Sequence, residues 1–194
     1  MALACRDYLE NNGIQVLMSR TKDENDPLTD EIKECNAFNP DLAVDIHNNA
    51  GGGDGFEAYY YSGGGTSKTL AKNIEKEVIA IGQNSRGCKT KLNSAGKDYY
   101  GFIRQIKAPS VIVEGVFVDN ATDVKIADTV EEQKAFGYAY ARGILKTLGI
   151  TPKEQVLGTQ IFRVQVGAFK NRDNALNLLE KLKSAGFDGF IKED

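Results

Sequence analysis

Ser110-Val-Ile-Val-Glu-Gly-Val-Phe-Val118 decides the fold class. Pro109 introduces a short, almost continuous apolar run rich in valine. Such a run suits a strand buried on both faces, as in a sheet covered by helices. On its C-terminal side Glu131 to Leu148 reads as a long helix. On its N-terminal side Thr66 to Ile81 carries Leu70, Ile74, Val78 and Ile81 at spacings of three and four, with Lys and Glu between them, which predicts an amphipathic helix. The polar, glycine-containing stretch from Gln83 to Gly101 separates that helix from the apolar run.

Farther out, Phe56 to Tyr61 is aromatic and strand-like between two glycine loops, Gly51-Gly-Gly-Asp-Gly55 and Gly63-Gly-Gly65. Asp41-Leu-Ala-Val-Asp-Ile-His47 alternates, placing Leu42, Val44 and Ile46 on one side of a half-buried strand. Pro27 to Phe38 reads as a helix, as does Ala2 to Asn11, which Asn-Asn-Gly13 stops before the strand-like Ile14-Gln-Val-Leu-Met18. Together these patterns predict an α/β fold with an open central sheet flanked by helices. A helix feeding a buried strand is the second half of a β-α-β unit, so the pattern also implies a strand ahead of Ala2.

Gly149 to Gln160 has no periodicity, which divides the chain into a domain over 1–149, a linker over 150–160 and a small unit over 161–194. In that unit Ile161 to Val166 alternates as a strand. Asn171 to Ala185 follows as a helix with Ala175, Leu178, Leu179 and Leu182 inward, and Phe187 to Ile191 as a short strand. One β-α-β unit of this size is too small to bury both faces of its sheet.

With 41% hydrophobic residues in 194, the chain can build one medium domain with a core. No apolar run reaches the roughly 18 residues of a membrane span, and the N-terminus is charged too soon for a secretory signal. The net charge is −3, and neither part is basic enough to suggest nucleic acid. Cys5, Cys35 and Cys88 are odd in number and lack C-x-x-C spacing. They argue against a disulfide framework or a thiolate zinc cluster and read as small buried hydrophobes. Gly63-Gly-Gly-Thr-Ser-Lys68 lacks phosphate-loop spacing and no dinucleotide fingerprint opens a helix, which excludes nucleotide binding.

Two residues stand out chemically. His47, the single histidine, sits where a polar turn follows an apolar strand, and the carboxyl ends of strands are where open α/β sheets bind ligands. A structural imidazole and a functional one both fit that position. One histidine excludes a His-rich zinc site, although histidine with carboxylates remains acceptable chemistry. Glu114 interrupts the most apolar strand, where desolvating a carboxylate is costly without a partner or cleft. A carboxyl with a raised pKa serves general acid/base catalysis; an ion pair or a strand-end position are the alternatives. Gly115 beside it would let a substrate or another backbone come close.

His47-Asn-Asn-Ala50, then Phe102-Ile-Arg104, then Ala108-Pro-Ser-Val-Ile-Val-Glu-Gly-Val-Phe-Val-Asp-Asn120 resemble, in order and spacing, the zinc-dependent N-acetylmuramoyl-L-alanine amidases of bacteria and their phages. Ser19-Arg-Thr21 and the glycine loop leading to Tyr59-Tyr-Tyr61 extend the likeness from Ala2 to about Ile150. The resemblance implies a three-layer fold and hydrolysis of the amide joining N-acetylmuramic acid to the L-alanine of the peptidoglycan stem peptide. It implies a zinc ion held by two histidines and a glutamate, polarising the carbonyl and activating water. By the same resemblance His47 is a zinc ligand, Glu114 is the proton-transferring glutamate, and Asn49 and Arg104 meet the substrate. The protein would then act outside the cell or at its wall.

The family's first zinc histidine lies in a D-P-G-H-G-G loop, and its glutamate ligand near the start of the first helix; neither has a counterpart here. His47 alone leaves zinc short of the roughly three or four protein ligands of a tight site. The departure opens a second reading, a truncated relative that binds wall without cutting it. Near Leu28 the family usually has Arg, where this chain has Asp30-Glu31. Phe162-Arg-Val-Gln-Val-Gly-Ala-Phe-Lys-Asn-Arg-Asp-Asn-Ala175 resembles the opening of a SPOR domain, a ferredoxin-like module that recognises glycan strands stripped of peptide. Only its first half fits, which implies marginal order and glycan binding that is weak or lacking.

Overall fold

The structure, a computed structural model, describes residues 1–153 and 165–191. In chain order its elements are α1 (Ala2–Asn11), α2 (Leu28–Phe38), β1 (Ala43–Asn49), β2 (Phe56–Tyr60), α3 (Gly65–Ala80), β3 (Ser85–Lys89), α4 (Gly101–Gln105), β4 (Ser110–Phe117), α5 (Ala121–Val124), α6 (Val130–Thr147) and α7 (Arg172–Ser184). They fall into two compact units, Met1–Glu154 and Gln155–Asp194. Among the described residues no helix is long and apolar enough to cross a membrane.

The first unit is built around β4, the quoted apolar run. Its sheet has the order β1-β4-β2-β3, with β1 parallel to β4, β3 parallel to β2, and β2 antiparallel to β4. Flanked on both sides, β4 buries every residue except Glu114, which is half-buried. One face of the sheet carries the main core, in which Phe56, Ala58, Val111 and Val113 meet Leu70, Ile74 and Val78 of α3 and Phe136, Tyr140 and Leu145 of α6. Full burial of each Leu, Ile or Val side chain stabilises by about 1.5–3 kcal/mol. The opposite face has only a small cluster of Ile32, Ala43 and Ile106, with Cys35 and Phe102 of α2 and α4 against it. The layers are therefore helix, sheet, helix, with the second helical layer covering one end of the sheet.

α6 starts at a capping box in which Thr129 Oγ1 accepts from the Glu132 N–H at 3.2 Å while the Glu132 carboxylate accepts from the Thr129 N–H at 2.8 Å. It crosses α3 closely at Gly143, where a Cβ would lie 2.6 Å from the Cα of Ile74. Gly137 does the same for α1, where a Cβ would lie 2.4 Å from the Met1 carbonyl oxygen.

Four expectations from the sequence need correction. Ile14–Met18 is not a strand, although its burial alternates with Ile14, Val16 and Met18 half-buried. A strand exists only through a ladder partner, and among the described residues none pairs with this segment; Ile14, Val16 and Met18 instead line a cleft of about 1450 Å³ together with Val44 and Ile46 of β1. The polar stretch Gln83–Gly101 contains β3, an edge strand whose charged residues mask its strand character. In the second unit Phe187–Ile191 is not a strand, and Phe187 and Phe190 are exposed. The residues Ala175, Leu178, Leu179 and Leu182 of α7 are half-buried at most, and the second unit has no strand among its described residues. The expected linker at 150–160 and strand at 161–166 lie largely outside the described residues.

The thiols depart in part from the buried reading. Cys5 is buried in the main core, where desolvation pushes its pKa up to about 12, whereas Cys35 and Cys88 are half-buried. All three are free.

Candidate active site

Strand alternation sorts side chains between the two faces of the sheet. Val44 and Ile46 of β1, Val111 and Val113 of β4 and Phe56 and Ala58 of β2 pack into the main core. The alternate residues therefore face the thinly covered side: Asp45 and His47 from β1, Ile112 and Glu114 from β4, Glu57 and Tyr59 from β2. Register aligns three of them. His47 is the partner of Glu114 in the parallel β1–β4 pair, and Glu57 is the partner of Glu114 in the antiparallel β2–β4 pair. An imidazole and two carboxyls thus form a row across three adjacent strands, with Glu114 in the middle. His47, Glu114 and Ile112 line the large cleft together with Asp45, Glu31 and Tyr100.

The neighbours of each group set its proton affinity. Glu114 Oε2 is buried without a hydrogen-bond partner, and desolvation pushes its pKa up, aided by Asp45 and Glu57 and opposed by His47. Glu57 is buried too, yet its pKa is lowered. Desolvation acts to raise it, but hydrogen bonds from Lys89, Arg86 and Tyr59 outweigh that cost. Lys89 Nζ lies 2.7 Å from Glu57 Oε1, the Arg86 guanidinium bonds the same oxygen, and Tyr59 Oη donates to Oε2 at 3.1 Å. His47 Nε2 lies 2.9 Å from Asp45 Oδ1, a bond that raises the imidazole pKa against desolvation, with Asp45, Glu114 and Glu31 adding their charge.

Loops frame this row. Asp119 Oδ2 accepts the N–H groups of Gly51 and Gly52 at 2.8 and 2.9 Å. Buried Asp123 accepts from the N–H groups of Gly55 and Phe117 at 2.8 and 2.7 Å. These two carboxylates hold the glycine loop that joins β1 to β2 against the end of β4. Asn49 bonds locally, its Oδ1 accepting from the Ala50 N–H at 2.8 Å. Arg104 Nη1 donates to the carbonyls of Asp98 and Tyr99 at 2.7 and 2.9 Å. Gly115 turns toward the main core, where a Cβ would lie 2.4 Å from Tyr140 Oη. Its lack of a side chain makes room for that hydroxyl, not for a substrate.

A zinc ion needs about three protein donors with deprotonated ligand atoms. Among the described residues no group of three or more His, Cys, Asp or Glu side chains is placed to hold a metal. The single imidazole has Nε2 committed to Asp45, and its acidic surroundings favour the protonated form over the neutral ligand. The residues present do not fit the metal.

Comparison with known proteins shows the family. Residues 1–146 match the family profile of N-acetylmuramoyl-L-alanine amidase. The chain belongs to this amidase family. The profile of the SPOR domain matches residues 141–193. The chain is 30% identical over 194 residues to N-acetylmuramoyl-L-alanine amidase CwlM of Bacillus licheniformis, covering 98% of this chain and 72% of that protein. It is also 30% identical to the sporulation-specific N-acetylmuramoyl-L-alanine amidase of Bacillus subtilis strain 168, with 98% and 72% covered. Among solved structures, Cwp6 from Clostridium difficile superposes with a TM-score of 0.75 at 37% identity, over 76% of this chain and 24% of Cwp6. The catalytic domain of the amidase CwlV from Bacillus (Paenibacillus) polymyxa var. colistinus shares the fold, with a TM-score of 0.68 at 24% identity over 77% of this chain and 82% of that one.

In this amidase domain the two residues singled out by the sequence, His47 and Glu114, stand on adjacent strands of one face. Asn49 closes the same strand, and Arg104 lies in α4 beneath the loop that carries Tyr99. Sequence reading missed Glu57, whose signal was present: a charged residue at the start of an aromatic strand. It also missed Asp119 and Asp123, whose backbone partners are remote in sequence and leave no local pattern.

Proposed function

We propose that the amidase domain acts on the amide between N-acetylmuramic acid and the L-alanine of the peptidoglycan stem peptide. One observation carries the reading: Glu114 places an unpartnered, buried carboxyl oxygen on the wall of a cleft, beside an imidazole. A carboxyl with a raised pKa takes the proton of a water attacking the amide carbonyl and returns it to the leaving amine as the C–N bond breaks. Glu57 beside it is held by two cations and a phenol, so it stays ionised and leaves proton transfer to Glu114. No step is assigned to zinc. The family's metal requires ligands beyond His47, and that shortfall favours a second reading, a relative that stays on the wall without cutting it.

The SPOR-like region gives both readings the same address, the cell wall, with glycan strands as the ligand of residues 161–194. The domain boundaries proposed are 1–149 for the amidase part and 150–160 for the linker. Zymography on gels containing purified cell wall, with zinc added, separates the readings. Clearing by the chain and not by Glu114→Gln supports hydrolysis. Sedimentation with wall but no clearing supports the second reading, and neither clearing nor sedimentation removes both.

A further inference from the structure

The sheet is open on the β1 side. β1 pairs with β4 along one edge, and among the described residues nothing pairs with the other. The Ala43 N–H donates to the Pro109 carbonyl, so the alternation of a parallel ladder turns the N–H and C=O groups of Val44 and Ile46 toward the open edge. Their side chains pack against the main core yet are only half-buried, whereas Val111 and Val113 of β4 beside them are fully buried. The second wall is the segment 14–18. Its Ile14 N–H donates to the Leu9 carbonyl, and among the described residues 15–18 make no backbone–backbone hydrogen bond.

Two unpaired, alternating stretches of backbone therefore line one cleft. Cys5 and Leu9 of α1 and Ile144 and Leu148 of α6 line it from the layer of the main core, while Glu31 and Cys35 of α2 line it from the other helical layer. Bounded by both layers, the gap lies within the sheet's own layer. Its volume of about 1450 Å³ exceeds the roughly 300–1,000 Å³ of small-molecule sites. Rows of free N–H and C=O groups are matched by another backbone, and a strand covered by helices on both faces is apolar on both. A second copy cannot enter by its own β1, because β4 flanks that strand and the segment 14–18 closes the slot; a single free strand can.

We infer that this gap is a docking slot for one extended strand of another polypeptide, apolar on both faces, which pairs with β1 along one edge and with the segment 14–18 along the other. The length of β1, 7 residues, sets the length of the strand it takes. The slot is a property of the sheet and holds whether or not the domain cuts wall.

The test titrates the full chain with a synthetic peptide, a short run of alternating valine and isoleucine between lysine pairs, and with the same peptide carrying proline at its centre. Amide hydrogen exchange maps where each binds. In the free chain the amides of Val44, Ile46 and residues 15–18 exchange fast; with the first peptide they slow about tenfold or more, and at saturation the melting temperature rises by about 5 °C. The proline peptide lacks the central N–H and does neither. Val16→Asp puts a charge on the wall and weakens binding about tenfold or more, with circular dichroism checking its fold; the exchange map and the proline control decide without it. Equal effects of the two peptides, or no slowing at the named amides, overturn the slot. So does slowing already present in the free monomer, which means the chain fills the gap itself, or slowing that vanishes as a dimer is diluted, which means a second copy does. Wall clearing is not read in this test, so the amidase reading stands or falls separately by zymography.

Discussion

Glu57 and Glu114 lie directly opposite each other across the antiparallel β2–β4 pair, and their surroundings push the two carboxyls in opposite directions. Glu57 has three donors and Glu114 Oε2 has none. Neighbouring titratable groups driven apart in this way are the usual basis for dividing charge-holding from proton-moving roles. The relation yields two predictions of opposite sign.

Glu57→Gln lowers stability at pH 7. A pKa held below its ordinary value of 4.5 contributes stability that is present above that value and lost as pH falls through the lower folded value. The Glu57 side chain is only 5% exposed, so losing its charge-assisted bonds costs about 2 kcal/mol at neutral pH. Urea midpoints for the chain and the variant should differ at pH 7 and converge toward pH 3. A gap of equal size at both pH values contradicts the ionised, paired state of Glu57.

Glu114→Gln acts the other way. A raised pKa contributes stability that is full below 4.5 and lost as pH rises through the folded value, so the neutral amide melts higher than the parent at pH 7 and gains nothing at pH 4. If the domain hydrolyses wall, the same change reduces the rate about 100-fold or more, the usual size of a general acid/base contribution. Thermal melts at the two pH values, paired with dye release from labelled wall, check both halves.

Zinc should not hold to the chain. With one imidazole and, among the described residues, no group of three donors, metal is lost on gel filtration, and a chelator moves the melting temperature by less than about 1 °C. Elemental analysis giving about one zinc per chain after desalting would show that the fold around His47 differs from the one described.

Gly143→Ala tests the α3–α6 contact. Alanine improves helix propensity by about 1 kcal/mol, but its Cβ would sit 2.6–2.7 Å from the Cα, Cγ1 and backbone N of Ile74, and backbone cannot step aside. The clash wins. Forcing the helices apart costs about 2–3 kcal/mol net, a fall of about 5 °C or more in melting temperature. An unchanged melting temperature would mean the two helices do not pack at this distance.

Much of this was legible from local pattern. The spacing of Leu70, Ile74 and Val78 marked α3, the alternation of Leu42, Val44 and Ile46 marked β1, and the valine run marked β4 as buried on both faces. Glu114 stood out because a carboxylate there has no cheap explanation, and His47 because it ends a strand. β3 was hidden because Arg86, Gly87 and Lys89 do not alternate in polarity, and α4 because five residues carry too little periodicity. Ile14–Met18 alternates as a strand does, yet among the described residues no strand pairs with it.

Periodicity belongs to a segment's own backbone and burial, so the chain alone determined the long periodic elements, α3, β1, β4 and α6, which of their side chains share a face, and that His47 and Glu114 are the chemically unusual pair. Strand order and direction depend on which backbone meets which across long stretches of chain, and no segment's side chains encode that. The tertiary structure alone set β2 antiparallel against β4, bringing Glu57 opposite Glu114. It alone turned Gly115 toward Tyr140, bound Arg104 to the carbonyls of Asp98 and Tyr99, and left His47 bonded to Asp45 with too few neighbours to share a metal.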